Sequence, residues 1–366
     1  MTGWMLYQND GFVTAHADTL ISARVGNDIS DILPVLHMVD DRGERIDNNT
    51  SGYPTVGLCQ KIVIVSDSIC FMWSGSLELA ANLQIELSRL DRFYSKVQMI
   101  WYIRAICNNF KSDHDISAVI LCSQFAPEMS KFYVNCQPFD VHSFGEACYG
   151  GSGGGELYAE TELFISRVSP YLALEKYDRG EVSKQVSDSQ VRLGTMDSIL
   201  QFRALHNLLR HVATGGIIET LIIRNYCFSK MKTLYAIFFE ERFDDFGFSP
   251  RFIVKRSYID NYLAVSIRDY LNNTENSRII GDPITWREGR PLDLCDRDPL
   301  KGEFDSARCI YFRQDGVTRS HYGEDPSIFF QNISIDPLTN RPVMSDWYIK
   351  DAKEKRKQTD LYRNVD

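Results

Sequence analysis

The sequence predicts an α+β chain whose antiparallel sheets carry helices on their outer faces, and three observations lead there. Apolar, β-rich runs come in hairpin pairs rather than alternating singly with helices. Helical stretches likewise come in pairs, between the blocks of strands. The 366 residues are 44% hydrophobic and 24% charged, an ordinary globular composition. That length exceeds the ~100–200 residues of one domain, so two parts are expected. Residues 1–240 hold the dense pattern, and 241–366 form a C-terminal extension of mixed strands and loops.

Gly3 to Tyr7 and Gly11 to Ala17 are short apolar runs around Gln8-Asn-Asp-Gly11, and Asn or Asp before Gly between such runs is a strong hairpin signal. Residues 25–58 are polar and rich in turn formers, so they read as an excursion outside the sheet. Lys61 to Val65 and Ile69 to Trp73 flank Ser66-Asp-Ser68 as a second hairpin, and Ser74-Gly-Ser76 turns into a helix over Leu77 to Leu90. Leu79, Leu83 and Leu87 repeat on one face of that helix, and a second helix over Tyr94 to Phe110 completes an α-hairpin. A third strand pair, Ala118 to Cys122 and Lys131 to Asn135, follows. Phe144 to Tyr149 then leads through Gly150-Gly-Ser-Gly-Gly-Gly155 into a helix from Glu156 to Val168, which Pro170 ends. Met196 to Ala213 is helical by pattern and stops at Thr214-Gly-Gly216. Strands over Ile217 to Ile223 and Thr233 to Phe239 close the first part. Beyond residue 241 only short strand candidates stand out, at Arg251 to Val254, Tyr262 to Ser266, Cys309 to Phe312 and Ile328 to Ile335.

Charge and cysteine usage exclude several classes. A net charge of −9 and a pI near 5.4 leave no positive field for nucleic acid. The basic stretch Lys350 to Lys357 is interleaved with Asp351 and Glu354 and reads as a solvated helix face. Nine dispersed cysteines sit mostly in apolar runs, as buried free thiols do. No CxxC pair or HExxH suggests a metal. No signal peptide or membrane-length apolar run is present, so a cytoplasmic location is expected. No cofactor is implied: the glycine run 150–155 lacks the GK[ST] of a phosphate loop and a clean GxGxxG. His16, His114, His206 and His211 lack ligand spacing.

The order of elements, with the residues at its joints, resembles the proteasome β-subunit family over about residues 2 to 240, and most closely its HslV-type bacterial peptidases. The resemblance implies the N-terminal-nucleophile hydrolase fold, a four-layer αββα sandwich of two antiparallel sheets, with the first residue of the mature chain as nucleophile. Thr2 would become that residue once Met1 is removed. Asp18, sixteen residues after Thr2, matches the family's hairpin aspartate without a gap. Lys61 stands fourteen residues before Gly75, the family's separation between catalytic lysine and oxyanion glycine, although the excursion between Asp18 and Lys61 is longer here. Gly151-Ser152-Gly153 resembles the family's Gly-Ser-Gly, and Gly154 follows the HslV-type form. Thr214-Gly-Gly216 matches the Ser-Gly-Gly after the fourth helix, but His211 stands where the family has an aspartate.

The chemistry needs these residue types. A threonine hydroxyl is a poor nucleophile and must pass its proton to a base, which the α-amine of the same residue supplies with a reference pKa of ~8. A lysine ammonium nearby favours the unprotonated amine by like-charge repulsion, and Asp18 would hold that ammonium. The Gly75 N–H, at the end of a strand, would meet the developing oxyanion, and Ser152 would complete the hydrogen-bond network. Singly, a Thr at position two is a tolerated start residue and a lone Asp or Lys a solvated charge; it is the joint spacing that carries the expectation. The implied function is a threonine peptidase or amidohydrolase acting on a peptide or protein substrate through an acyl-enzyme. The family also implies a homo-oligomeric ring and a separate ATPase unfoldase. The alternative is a noncatalytic relative used for assembly or binding, which His211 and the extension favour.

Overall fold

The computed structural model describes residues 3–9, 12–22, 55–92, 95–123, 129–141, 145–163, 197, 200–201, 217–224, 227–231, 234–241, 248–259, 261–270, 273–287, 306–312, 318–323, 333–339, 341–347 and 349–350. They fall into two compact units. The first takes in Met1–Met231 with Asp260–Leu263 and Ile279–Leu294; the second takes in Lys232–Ile259, Ala264–Arg278 and Cys295–Asp366.

The first unit opens with the expected hairpin, β1 (Trp4–Asn9) against β2 (Phe12–Asp18), in register Trp4↔Ala17. β3 (Leu20–Ser22) and β4 (Thr55–Leu58) pair as a ribbon; of the excursion read over 25–58, residues 25–54 lie outside the described residues and 55–58 are the strand β4, paired with β3 and not with either larger sheet. β5 (Ile62–Ser66), β6 (Ile69–Gly75), β7 (Ile116–Cys122) and β8 (Ser130–Val134) form a four-stranded antiparallel sheet in that order. β9 (Phe139–Val141), β10 (Gly145–Gly150), β11 (Ile218–Arg224) and β12 (Cys227–Lys230) join the first hairpin in a six-stranded antiparallel sheet, ordered β12-β11-β2-β1-β10-β9. β9 and β12 have no counterpart in the sequence reading, because three- and four-residue strands at sheet edges are too short to show a period.

Alternation along the strands sends side chains to both faces, and both faces are apolar. Trp4, Leu6, Ala15 and Ala17 of the six-stranded sheet share a buried cluster with Ile62, Cys70, Met72, Val119 and Leu121 of the four-stranded one. Their neighbours Met5 and Tyr7 point the other way, to Leu157 and Leu200. On the far side of the four-stranded sheet, Val63, Phe71, Trp73 and Ile120 pack on Leu83, Leu87, Met99 and Ile103. These last come from α1 (Leu77–Ser88) and α2 (Lys96–Phe110). Each such side chain, fully buried, contributes about 1.5–3 kcal/mol.

Both helices start where a serine can accept an orphan amide: Ser76 from Leu79 and Ser95 from Gln98, each at 3.3 Å. A 3₁₀ turn, Arg89–Arg92, ends the first. α3 (Gly154–Leu163) begins inside the glycine run, two residues earlier than its pattern suggests. The helix read over Met196 to Ala213 is described only at Asp197, Leu200 and Gln201, which are helical. A short helix, α4 (Pro283–Arg287), brings a later part of the chain onto α1.

The second unit corrects the reading of loose strands beyond residue 241. β13 (Leu234–Glu241), β14 (Phe248–Ile259), β15 (Tyr262–Asp269), β16 (Thr274–Ile280), β17 (Ser306–Phe312) and β18 (Thr318–Gly323) form one sheet, ordered β16-β15-β14-β13-β17-β18. β13 and β17 pair in parallel. Arg251, Lys255 and Arg256 obscure the period of β14, yet Arg251 and Arg256 are buried there. A hairpin of β19 (Ile333–Asp336) and β20 (Arg341–Met344) adds Ile333 and Met344 to a core with Tyr235, Ile237, Phe239 and Ile253. Among the described residues no helix is long and apolar enough to cross a membrane.

Candidate active site

Of the residues singled out by spacing, Asp18 and Lys61 meet at one end of the first hairpin. Asp18 ends β2 and Lys61 immediately precedes β5, so they come from different sheets. Their side chains are both fully buried and meet at 3.2 Å, Lys61 Nζ donating to Asp18 Oδ1. The same carboxylate oxygen accepts from the Gly3 N–H at 3.1 Å, while the Asp18 N–H donates to the Gly3 carbonyl at 3.0 Å. Asp18 thus grips the residue that follows Thr2. Thr2 itself lies outside the described residues.

Gly3 is also where the Gly-Ser-Gly turn arrives. A Cβ at Gly3 would stand 2.4 Å from the Gly153 carbonyl carbon and 2.5 Å from the Gly154 nitrogen, so only glycine admits this approach. Gly151, at φ +76°, turns the chain out of β10. Ser152 sits exposed in the turn between β10 and α3.

Gly75 ends β6. Two residues earlier, the Trp73 N–H donates to the Lys61 carbonyl at 3.2 Å, which ties the strand carrying Gly75 to the lysine. Gly75 is exposed, has φ +102°, and would place a Cβ 2.0 Å from the Asp115 carbonyl oxygen. The backbone there requires glycine twice over, by conformation and by space. The next residue, Ser76, caps α1. His211 and the Thr214-Gly-Gly216 stop lie outside the described residues.

Four residues around the lysine escape motif reading. The Trp73 ring lies 5.6 Å from Lys61 Nζ, a cation–π contact. Glu219 of β11, fully buried, accepts from the Lys61 and Ile62 N–H groups at 2.6 and 3.2 Å. Lys230 of β12 pairs with Glu219 at 2.7 Å. Gln60 accepts from Lys230 Nζ. Glu219 does have a signal, a carboxylate inside the apolar run Ile217-Ile-Glu-Thr-Leu-Ile-Ile223. Gln60 has none, because its partners come from about 200 residues away. The patch holds two cations and two anions, Lys61 and Lys230 with Asp18 and Glu219.

Burial pushes the Lys61 ammonium below the usual lysine range, and Asp18, the largest opposing influence, restrains that fall. The neighbouring Cys59 thiol is driven well up by burial, which keeps it protonated and unreactive.

A second polar chain lies on β2 and β11. Thr14 Oγ1 meets His16 Nε2 at 2.9 Å, His16 Nδ1 meets Thr220 Oγ1 at 2.9 Å, and the Thr220 hydroxyl donates to Asp197. All four are buried. Because the Thr220 hydroxyl donates to Asp197, its oxygen is left to accept from His16 Nδ1.

No protein-family model and no curated protein matches the chain. Among solved structures it is similar to the crystal structure of eukaryotic HslV from Trypanosoma brucei, at 13% identity and a TM-score of 0.33, covering 60% of this chain and 97% of that one.

Proposed function

We propose that the chain is an N-terminal-nucleophile hydrolase, a threonine-type peptidase or amidohydrolase with Thr2 as nucleophile after loss of Met1. The observation that carries this reading is the buried Lys61–Asp18 pair whose carboxylate also holds the Gly3 N–H. Burying two charges exacts a desolvation penalty of several kcal/mol per ion, which their attraction often fails to return. An ion pair buried against the Gly3 N–H is better explained by chemistry than by stability. The buried clusters on the faces of the two sheets favour the four-layer αββα sandwich as the scaffold.

In this mechanism the Thr2 hydroxyl gives its proton to the free α-amine and attacks the substrate carbonyl. Lys61, as ammonium, keeps the amine unprotonated by repulsion and adds positive potential beside the oxygen. The Gly75 N–H receives the developing oxyanion; loss of one such donor typically lowers the rate ~10²–10³-fold. The leaving amine takes the proton from the Thr2 ammonium, and water then attacks the ester to release the acyl group and restore the hydroxyl. Ser152, on the turn against Gly3, belongs to the hydrogen-bond network around the amine. We extend the reading to a homo-oligomeric ring in the cytoplasm acting on peptides, with a separate ATPase needed for folded substrates.

Intact mass before and after incubation with a peptide epoxyketone, beside a Thr2→Ala control, tests this. The expected result is loss of Met1 and one adduct absent from the control. Retained Met1, or a processed chain without adduct, overturns it in favour of a noncatalytic assembly or binding protein on the same scaffold.

A further inference from the structure

Gln60, the residue before Lys61, makes three of its hydrogen bonds with chain beyond residue 240, beside those from Lys230 and the Trp73 indole N–H. Its backbone N–H donates to the Gly281 carbonyl at 2.9 Å. Its side-chain amide donates to the Ile280 carbonyl at 2.7 Å and to the Asn261 carbonyl at 2.6 Å. Its Oε1 accepts from Lys230, so every polar atom of this 2%-exposed side chain is engaged. The returning segment is itself anchored: Asp282 accepts from Gln84 of α1 at 2.7 Å and caps α4 through the Thr285 N–H at 2.9 Å. Residues 260–263 and 279–294 belong to the same compact unit as Lys61.

We infer that these returning segments are a working part of the site, and that Gln60 is the positioning residue through which they fix Lys61 against Asp18. The inference rests on the nucleophile reading above. The geometry leaves Lys61 little freedom. Glu219 holds its N–H from one side, the Trp73 N–H holds its carbonyl, and Gln60 sets the entry of the chain. Backbone amides that donate to fixed carbonyls give an unambiguous register, which a hydrophobic contact would not. A shift of Lys61 away from Asp18 weakens the largest influence opposing desolvation, so the lysine would lose its charge at lower pH.

The test uses the full chain and reads the rate of epoxyketone adduct formation at Thr2 by intact mass, across inhibitor concentration and pH. Wild type is compared with Gln60→Met, which keeps the length of the side chain and removes its amide, and with Asp282→Ala, which slackens the returning segment and leaves Gln60 untouched. The expected result for folded Gln60→Met is a maximal labelling rate lower by about 10- to 100-fold. Inhibitor affinity stays unchanged and the alkaline limb moves to lower pH. Asp282→Ala shows a smaller change in the same direction. A purely structural role would lower the labelled fraction, not the rate and pH limb of the labelled molecules. Labelling of Gln60→Met at the wild-type rate with the wild-type limb, while wild type does label, overturns the inference alone. Should Gln60→Met fail to fold, wild-type behaviour of Asp282→Ala overturns it. A wild-type chain that takes no adduct removes the nucleophile reading and this inference together.

Discussion

Lys61 and Asp18 lie 43 residues apart in sequence and meet at 3.2 Å with both side chains fully buried. Removing one partner leaves the other charge buried and uncompensated, which typically costs about 3–5 kcal/mol. Asp18→Ala also orphans the Gly3 N–H, so it should destabilise more than Lys61→Met. Urea denaturation of the two variants beside wild type checks the order; equal losses would mean that the Gly3 contact contributes nothing.

The same pair sets a pH dependence. Lys61 in the folded chain titrates below the ordinary value of 10.5 because burial disfavours its charge. Its folded value lies below its unfolded one, so the unfolded chain binds more protons between the two, and this group's contribution to stability rises with pH across that window. Reactivity moves the opposite way, since Thr2 activation needs the ammonium. The alkaline limb of epoxyketone labelling should therefore fall below pH 10.5. Asp18→Asn, which removes the main influence holding the charge, should move it lower still. An unmoved limb in Asp18→Asn would exclude Lys61 as the titrating group.

Gly75 and Gly155 give opposite expectations for the same substitution. An alanine at Gly75 faces φ +102° and a carbonyl oxygen 2.0 Å from its Cβ. It should lower stability by well over 1 kcal/mol and abolish labelling. Alanine at Gly155 meets only the Tyr149 ring, at 3.7 Å, in a helix that glycine weakens by roughly 0.5–1 kcal/mol. Gly155→Ala should match or exceed wild-type stability. Thermal unfolding of both variants checks the contrast.

Much of the fold was legible because the first unit alternates cleanly. Trp4, Leu6, Ala15 and Ala17 face one core while Met5 and Tyr7 face another, and runs apolar on both faces announce buried strands. The meeting of Asp18 and Lys61 was legible only through the family resemblance, which matched Asp18 by its separation from Thr2 and Lys61 by its separation from Gly75. Gln60 was not, because its role is made by the Asn261, Ile280 and Gly281 carbonyls, and backbone acceptors leave no mark on sequence. The sheet of the second unit was obscured for a related reason. Buried Arg251 and Arg256 interrupt the period of β14, so only Arg251 to Val254 of a 12-residue strand stood out.

His16 offers the last prediction. Its ring bridges two hydroxyls, Thr14 on its own strand and Thr220 on β11, and Thr220 passes the chain on to Asp197. Thr220→Val keeps the shape and removes the hydroxyl that links the histidine to the carboxylate. The His16 Nδ1–H is then left facing a methyl group in a buried site, and such an unmet donor costs about 1–3 kcal/mol. His16→Ala should cost more, since it removes buried volume as well as both hydrogen bonds. If the ladder acts as a unit, the double variant will lose less than the sum of the two, because each single change already breaks the same chain. A double-mutant cycle by urea denaturation measures that coupling. Strict additivity would show that Thr220 and His16 act independently.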